Sequence, residues 1–289
     1  MCMKDLSFPF FCSVFLFMVS VPASAREPRH ELNIFKWACY FGEDSAAWKK
    51  LQNFDLAVVD PDKMHGYTPD QSSTEFLANL PLCRTHTYRW FFRSIQNQPY
   101  VLWSDPDDKS QYTVDVRSKA WQKELVRRII PRIQAKGYDG LLLNDIDVAF
   151  FLEGLDGEAY EATVQATINL IKHIRKQFPD MILAAKNGLP ASRKFGKFVD
   201  VLIVDALNTR WNETTKSYAY ADSSWREDRL DYLKTFRRHF PHTPVLAIDF
   251  MNFRQRQYMA YSREQCAKYS ILCYRPRRDL QTLIVKEPE

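Results

Sequence analysis

Short, nearly unbroken apolar runs alternate with longer amphipathic segments eight times along this chain. That alternation restricts the folds open to it. Leu141-Leu142-Leu143 and Val201-Leu202-Ile203-Val204 are the clearest runs. A strand that is apolar at every position has to be covered on both faces, as in a parallel sheet flanked by helices. The expected strands are Asn33–Phe41, Leu56–Asp60, Leu80–His86, Gly140–Asp145, Met181–Asn187, Val199–Leu207, Thr243–Phe250 and Ser270–Tyr274. Between them, Trp121, Leu125, Ile129 and Ile133 recur every four residues, with Lys123, Glu124, Arg127 and Arg128 on the other side. Val164, Ile168, Ile171 and Ile174 make a second stripe, closed by Pro179; Trp225, Leu230, Leu233 and Phe236 make a third. Phe91–Thr113 is too polar and broken for such a unit and reads as a long loop over one end.

Eight strand–helix units in a chain of this size predict the α/β class, a single-domain (β/α)8 TIM barrel. No Gly-x-Gly-x-x-Gly follows the first strand and no phosphate loop is present, which argues against nucleotide chemistry. No cofactor is expected. The net charge of +5 is spread out, and clusters such as Arg275-Pro276-Arg277-Arg278 read as solvated faces, so nucleic acid is not an expected partner.

The N-terminus reads as a leader. Lys4, an apolar stretch from Phe8 to Val21 and an Ala23-Ser24-Ala25 ending have the form of a secretory signal, residues 1–25. The stretch is short for a bilayer span of about 20 residues. The expected mature chain, residues 26–289, is a monomer exported to the periplasm or medium, with no membrane association after cleavage. Cys2 and Cys12 leave with the leader; Cys39, Cys83, Cys266 and Cys273 remain. Sequence does not choose among their pairings. Cys39 and Cys273 fall in the first and last strands, and buried free thiols are the reading preferred here.

The apolar strands end in polar residues: Asp60, then Arg84-Thr85-His86, then Asn144-Asp145-Ile146-Asp147, then Lys186-Asn187, then Asp205 and Asn208, then Asp249. In a (β/α)8 barrel these ends converge on the face where chemistry takes place. Glycoside cleavage needs two carboxyl groups flanking the bond, one protonated and one ionised, and crowded acids separate their proton affinities in that way. Aromatic rings for stacking on sugars are at hand in Trp37, Tyr40, Phe41, Trp90, Trp103, Trp211 and Tyr218.

Several segments in order carry a resemblance. They are Trp37-Ala-Cys-Tyr40-Phe-Gly42, Phe54-Asp-Leu-Ala-Val-Val-Asp60, Val114-Asp-Val-Arg117 with Trp121, and Gly137-Tyr-Asp-Gly-Leu-Leu-Leu-Asn-Asp-Ile-Asp147. Lys186-Asn187-Gly188, Val199-Asp-Val-Leu-Ile-Val-Asp-Ala-Leu207 and Val245-Leu-Ala-Ile-Asp-Phe250 follow. The chain thereby resembles endo-α-1,4-polygalactosaminidase-type barrels, glycoside hydrolase family 114, and is similar to the hydrolase domain of bacterial exopolysaccharide-processing proteins. The resemblance implies a secreted glycosidase acting on a galactosamine-type polysaccharide or oligosaccharide. Asp205 would be its general acid/base, and Asp145 or Asp147 its nucleophile or charge stabiliser. Tyr40, Asp60, Asn144, Asn187, Asp249 and Trp211 are the expected substrate contacts. The chain departs from the pattern in three places. Asn144 stands where the family carries a catalytic Asp, Asp205 stands where it carries Glu, and Pro81-Leu82-Cys83-Arg84 replaces Ser-x-Gly-Glu.

Two other readings follow from the same residues. A barrel that has lost a catalytic carboxylate would bind carbohydrate without cleaving it. A metal-assisted hydrolase would use Asp60, Asp145, Asp147 and Asp249 with His86. The scattered histidines argue against the latter, and no metal is expected.

Overall fold

Strands apolar on both faces take up a ring of eight in the computed structural model, which describes residues 32–287 except 65, 66, 68 and 70–72. The expected leader, residues 1–25, and His65 lie outside the described residues. The strands are β1 (Trp37–Tyr40), β2 (Leu56–Val59), β3 (Glu75–Pro81), β4 (Gly140–Asn144), β5 (Ile182–Lys186), β6 (Val201–Asp205), β7 (Val245–Ile248) and β8 (Leu272–Tyr274). Each pairs in parallel with the next in chain order. The seam between β8 and β1 is joined by side chains. The Trp37 indole donates to the Leu272 carbonyl at 3.0 Å, and the Trp37 and Tyr274 rings lie 5.8 Å apart. The arrangement is the expected TIM barrel, with its apolar strands packed into one continuous core.

The helices on the outside include α1 (Ser45–Leu51), α2 (residues 119–135), α3 (Asp147–Leu155) and α4 (Thr163–Gln177). A short α5 (Ser192–Phe195), then α6 (Ser223–His239) and α7 (Arg256–Lys268), complete the outer layer. In α2 the apolar residues recur every four positions, which overshoots a 3.6-residue turn by about 40° each time. A π turn at Leu125–Ile129 takes up the excess, and Pro131, which has no N–H to give, follows it. Trp121, Leu125, Ile129 and Ile133 therefore all stay buried.

Three expectations need correction. The third strand is Glu75–Pro81, five residues upstream of the expected start. Its interior Asn79 breaks the apolar run, yet it is buried and accepts from the Asn144 amide at 3.1 Å. The residues Arg84–His86 leave the barrel and join Gln111–Val114 and Val101–Ser104 in a three-stranded antiparallel sheet. Phe91–Thr113 is thus no plain loop: it holds two of those strands and a helical turn, Phe92–Ile95. The cysteine reading holds for Cys39 and Cys83, which are buried and free, and fails for the other two. Cys266 on α7 is bonded to Cys273 on β8, seven residues on, and this ties each element to its neighbour.

Candidate active site

Three consecutive strands end in the same backbone device. Asp145 after β4, Asn187 after β5 and Ala206 after β6 have φ of 59°, 60° and 52°. Residues with a Cβ adopt this conformation at a cost, and strained residues gather where function holds them. The kink breaks the in-and-out alternation of a strand, so that Asn144 and Asp145 both line one cleft. The Asp145 N–H folds back to the Asn144 Oδ1 at 2.7 Å.

At β5 and β6 the side chains interlock. Lys186 donates from Nζ to Asp205 Oδ2 at 2.6 Å, an ion pair little exposed on either side. Asp205 Oδ1 is buried and has no hydrogen-bond partner among the described residues. The Asn187 amide joins the two neighbouring acids: its Nδ2 donates to Asp147 Oδ2 at 2.9 Å, and its Oδ1 accepts from the Asp205 N–H at 2.9 Å. Asp147 opens α3, and its other oxygen accepts from the Gly188 N–H at 2.8 Å. Gly188 has φ of 65°, and a Cβ there would run into Ile146, so glycine is required. From α6, Arg229 donates to the Asp205 carbonyl at 2.7 Å while its guanidinium stacks 3.7 Å over Trp225.

The electrostatics follow from this packing. Burial raises the proton affinity of Asp145 and outweighs the attraction of Lys186 and Arg84; Asp147 and Asp205 add to the rise. Burial would lower that of Lys186, but the pull of Asp205 and Asp145 prevails and holds the ammonium above its ordinary range. Below them on β1, burial pushes the Cys39 thiol up, which keeps it a thiol and inert. Burial raises Asp147 as well, against the Gly188 N–H and Arg229, so Asp145 and Asp147 are both held toward their protonated forms while Asp205 is paired with a cation.

The cleft itself offers about 190 Å³ beside Asn144 and Asp145. The antiparallel sheet supplies one wall through Arg84, Thr85 and His86, and Phe41 and Asp279 stand at the edge. His86 Nε2 meets Ser110 Oγ at 2.8 Å, and burial lowers its proton affinity despite Asp108 nearby. A larger groove, about 550 Å³, lies on the outer wall between α6 and the start of β8. It is remote from the strand C-termini, where barrels of this kind place their chemistry.

Asn144, Asp145 and Asp60 line the cleft, hydrogen bonds join Asp147, Asn187 and Asp205 beside it, and Tyr40, Asp249 and Trp211 lie elsewhere. Asp60 borders the cleft but is 1% exposed; it accepts from Tyr88 Oη at 2.6 Å, Arg89 Nη1 at 2.8 Å and the Asp62 N–H at 3.0 Å. Asp249 is wholly buried and accepts from the Asn208 N–H and amide, each at 2.8 Å, and from Ser262 Oγ at 2.6 Å. Tyr40 is a core residue whose hydroxyl accepts from the Asp44 N–H. Trp211 sits on a hairpin formed by Thr209–Asn212 and Ser217–Tyr220, edge-on to Tyr218 at 5.0 Å, with Arg278 over its ring. Among the described residues, no three of Asp60, Asp145, Asp147, Asp249 and His86 converge as metal ligands. The one convergent set is Asp249, Cys266 and Cys273, and its two sulfurs are bonded to each other.

Lys186 and Arg229 were not among the expected site residues. Lys186 stood among the polar strand ends without a role of its own, and only the β5–β6 register sets it beside Asp205. Arg229 lies on a helix, where periodicity reports the buried face and not where a long side chain leads.

Comparison with known proteins agrees with this geometry. The glycoside hydrolase domain of PelA from Pseudomonas aeruginosa superposes with a TM-score of 0.74 at 15% identity, over 86% of this chain and 97% of that one. Aspergillus fumigatus Ega3, in a complex with galactosamine, superposes with a TM-score of 0.63 at 10% identity, over 86% and 93%. Identities this low establish a shared fold. No curated protein matches the chain in sequence. The family model for glycoside-hydrolase family GH114 matches residues 35–287, which takes in all eight barrel strands and every acid described above. On that match, the chain belongs to glycoside-hydrolase family GH114.

Proposed function

We propose that this protein cleaves a galactosamine-type, amino-sugar-containing polysaccharide, with Asp145 and Asp205 as its working carboxyl groups. The observation that carries the reading is the ion pair of Lys186 with Asp205, which leaves Asp205 Oδ1 unpartnered among the described residues, with Asp145 near enough for its proton affinity to be raised by the Asp205 charge. Family membership supports hydrolysis of a glycosidic bond, and the galactosamine bound by Ega3 supports the sugar class.

The two environments support roles in the reverse of the order that the resemblance implies. Asp145 gives its proton to the leaving glycosidic oxygen. Asp205 Oδ1 attacks the anomeric carbon and forms a glycosyl ester while Lys186 keeps hold of Oδ2. Asp145, now ionised, takes a proton from water, whose oxygen displaces Asp205, and the configuration is retained. Asn187 and Arg229 fix the backbone from which Asp205 projects.

The test is cleavage of an α-1,4-galactosamine polymer by wild type, Asp145→Asn and Asp205→Asn, with the product anomer followed by NMR. Wild-type cleavage with retention, and losses of at least about 10² in both variants, are expected. A second reading is favoured by Asn144, an amide where the family carries an acid: a barrel that binds the polymer and leaves it intact. Binding without turnover by wild type would establish that reading in place of the first.

Export belongs to the proposal as well. Among the described residues no helix is long and apolar enough to cross a membrane. A mature protein beginning at Arg26 in the culture fluid or periplasm is the expected result.

A further inference from the structure

The three acids that line the cleft differ in what their oxygens can still accept. Asp60 is closed from solvent by Tyr88 and Arg89, and Asp145 is held toward its protonated form. Asp279 is exposed, lines the same cleft and pairs with no cation among the described residues. Its Oδ1 accepts from the Gln281 N–H at 3.0 Å, which leaves Oδ2 open. The neighbouring Arg278 is turned away, over the Trp211 ring and onto Glu213. The loop that carries Asp279 is fixed on both sides of it. The Arg278 N–H donates to Tyr218 Oη at 3.2 Å, and the Leu280 carbonyl accepts from the Phe41 N–H at 2.8 Å. Leu280 is buried with φ of 57°, a conformation that leucine keeps only where its surroundings enforce it. The carboxylate is thus presented to the cleft on a rigid support.

Asp279 and Asp145 stand at opposite ends of the cleft. Asp279 follows β8 and Asp145 follows β4, and in a ring of eight these two strands face each other. Strands about 4.8 Å apart put opposite sides of such a ring on the order of 12 Å apart, which is more than one sugar ring. Lys63 after β2 and Arg84 after β3 lie along the wall between these ends, and Arg89 is taken by Asp60. An ionised carboxylate only accepts, so its partner has to donate. A hydroxyl would do, but an ammonium adds charge to the bond and about doubles its strength. We propose that Asp279 forms an outer subsite that receives the free ammonium of a galactosamine unit, away from the unit whose glycosidic oxygen Asp145 protonates. Lys63 and Arg84 repel an ammonium placed between the two ends, so the amine is read at the β8 end. The proposal rests on the glycosidase reading above and names the residue that selects the deacetylated unit.

The experiment compares two α-1,4-galactosamine oligomers of equal length, one fully deacetylated and one fully N-acetylated, at a pH where the amine is protonated. Wild type, Asp279→Asn and Asp279→Lys are assayed for kcat and KM on each. Binding is read by calorimetry with Asp205→Asn added to all three. Asparagine keeps an acceptor for the Gln281 N–H, so the loop is retained, and circular dichroism establishes that the variants fold. Wild type should favour the deacetylated oligomer. Asp279→Asn should cut that preference about fivefold, and Asp279→Lys by more. The change should fall on KM and Kd rather than kcat, since a contact remote from the reacting bond serves substrate and transition state alike. The wild-type preference should also shrink as salt rises, and that of Asp279→Asn should respond less. Equal losses on both oligomers, or a loss in kcat alone, would give Asp279 a structural or catalytic part and overturn the inference. An unchanged preference in Asp279→Lys, or a wild-type preference for the acetylated oligomer, overturns it too. In each of these cases the glycosidase reading stands. If wild type neither binds nor cuts either oligomer, that reading and this inference fall together.

Discussion

Lys186 Nζ lies 2.6 Å from Asp205 Oδ2, at the end of two neighbouring strands and largely out of water. Truncating one member of a buried pair strands the charge of the other, and the cost is typically about 3–5 kcal/mol. Lys186→Met should therefore lower the melting temperature and reduce kcat by about 10² or more, since the cation also orients the attacking carboxylate. The double variant Lys186→Met/Asp205→Asn should regain stability without regaining activity. Calorimetry and steady-state kinetics on the three proteins check both parts.

Asn144→Asp restores the acid that the family carries. Here it would place a second carboxylate one residue from Asp145 and against the Asn79 amide oxygen, 3.1 Å from the present Nδ2. The Asn79 amide has to turn over to donate. A neighbouring anion raises the proton affinity of Asp145 further, so a step that needs Asp145 protonated should persist to higher pH. The expected result is kcat flat or lower, with the alkaline limb of the pH profile moved upward. A gain in kcat with an unmoved limb would show that position 144 has taken over the chemistry.

The raised proton affinity of Asp145 also has a consequence for stability. A carboxyl whose folded value exceeds its unfolded value favours the fold while protonated, and that contribution is lost as pH rises through the folded value. Above the unfolded value the buried group is thus a burden on the fold, because the unfolded chain ionises more readily. Asp145→Asn should raise the melting temperature at pH 7 and lose that advantage near pH 3, while abolishing activity. Thermal melts across this range test the sign.

Asp60 serves the fold through its three donors. Asp60→Ala would leave Arg89 buried without its closest counter-charge, as the Asp62 contact is longer, at 3.4 Å. The expected loss is about 3–5 kcal/mol in urea unfolding. Residual activity per folded molecule should stay near wild type, which would distinguish a structural carboxylate from a substrate contact.

The Cys266–Cys273 bond closes a short loop, for which chain entropy gives about 2 kcal/mol of stabilisation. Reduction should lower the melting temperature by several degrees. Cys266→Ser/Cys273→Ser should reproduce the shift and no longer respond to reductant.

The barrel was legible because strands such as Leu141–Leu143 and Val201–Val204 are apolar on every position, which only a doubly covered sheet permits. The third strand was displaced for the converse reason: Asn79 interrupts its pattern, and the apolar pair Leu82-Cys83 just beyond draws the reading downstream. The satisfaction of Asn79 by Asn144 is a tertiary fact that no local pattern records. Within the site, Asp145, Asp147 and Asp205 could be located as strand ends, whereas their partners could not. Lys186 and Arg229 act through the register of β5 on β6 and the reach of α6. Asp60 and Asp249 occupy strand ends as expected, yet their oxygens are taken by Tyr88, Arg89, Asn208 and Ser262, a difference visible only once the donors are in place.

The left-handed turn after β4 also bears on how such a site drifts over generations. In a straight strand, moving an acid by one residue sends it to the opposite face and ends its usefulness. With the chain turned at Asp145, positions 144 and 145 open onto the same cleft, so the acid can change address between adjacent codons without rebuilding the barrel. An ancestor carrying acids at both positions would be a passable intermediate. Lineages from it could settle on either residue, and a family motif displaced by a single step is the trace this history would leave.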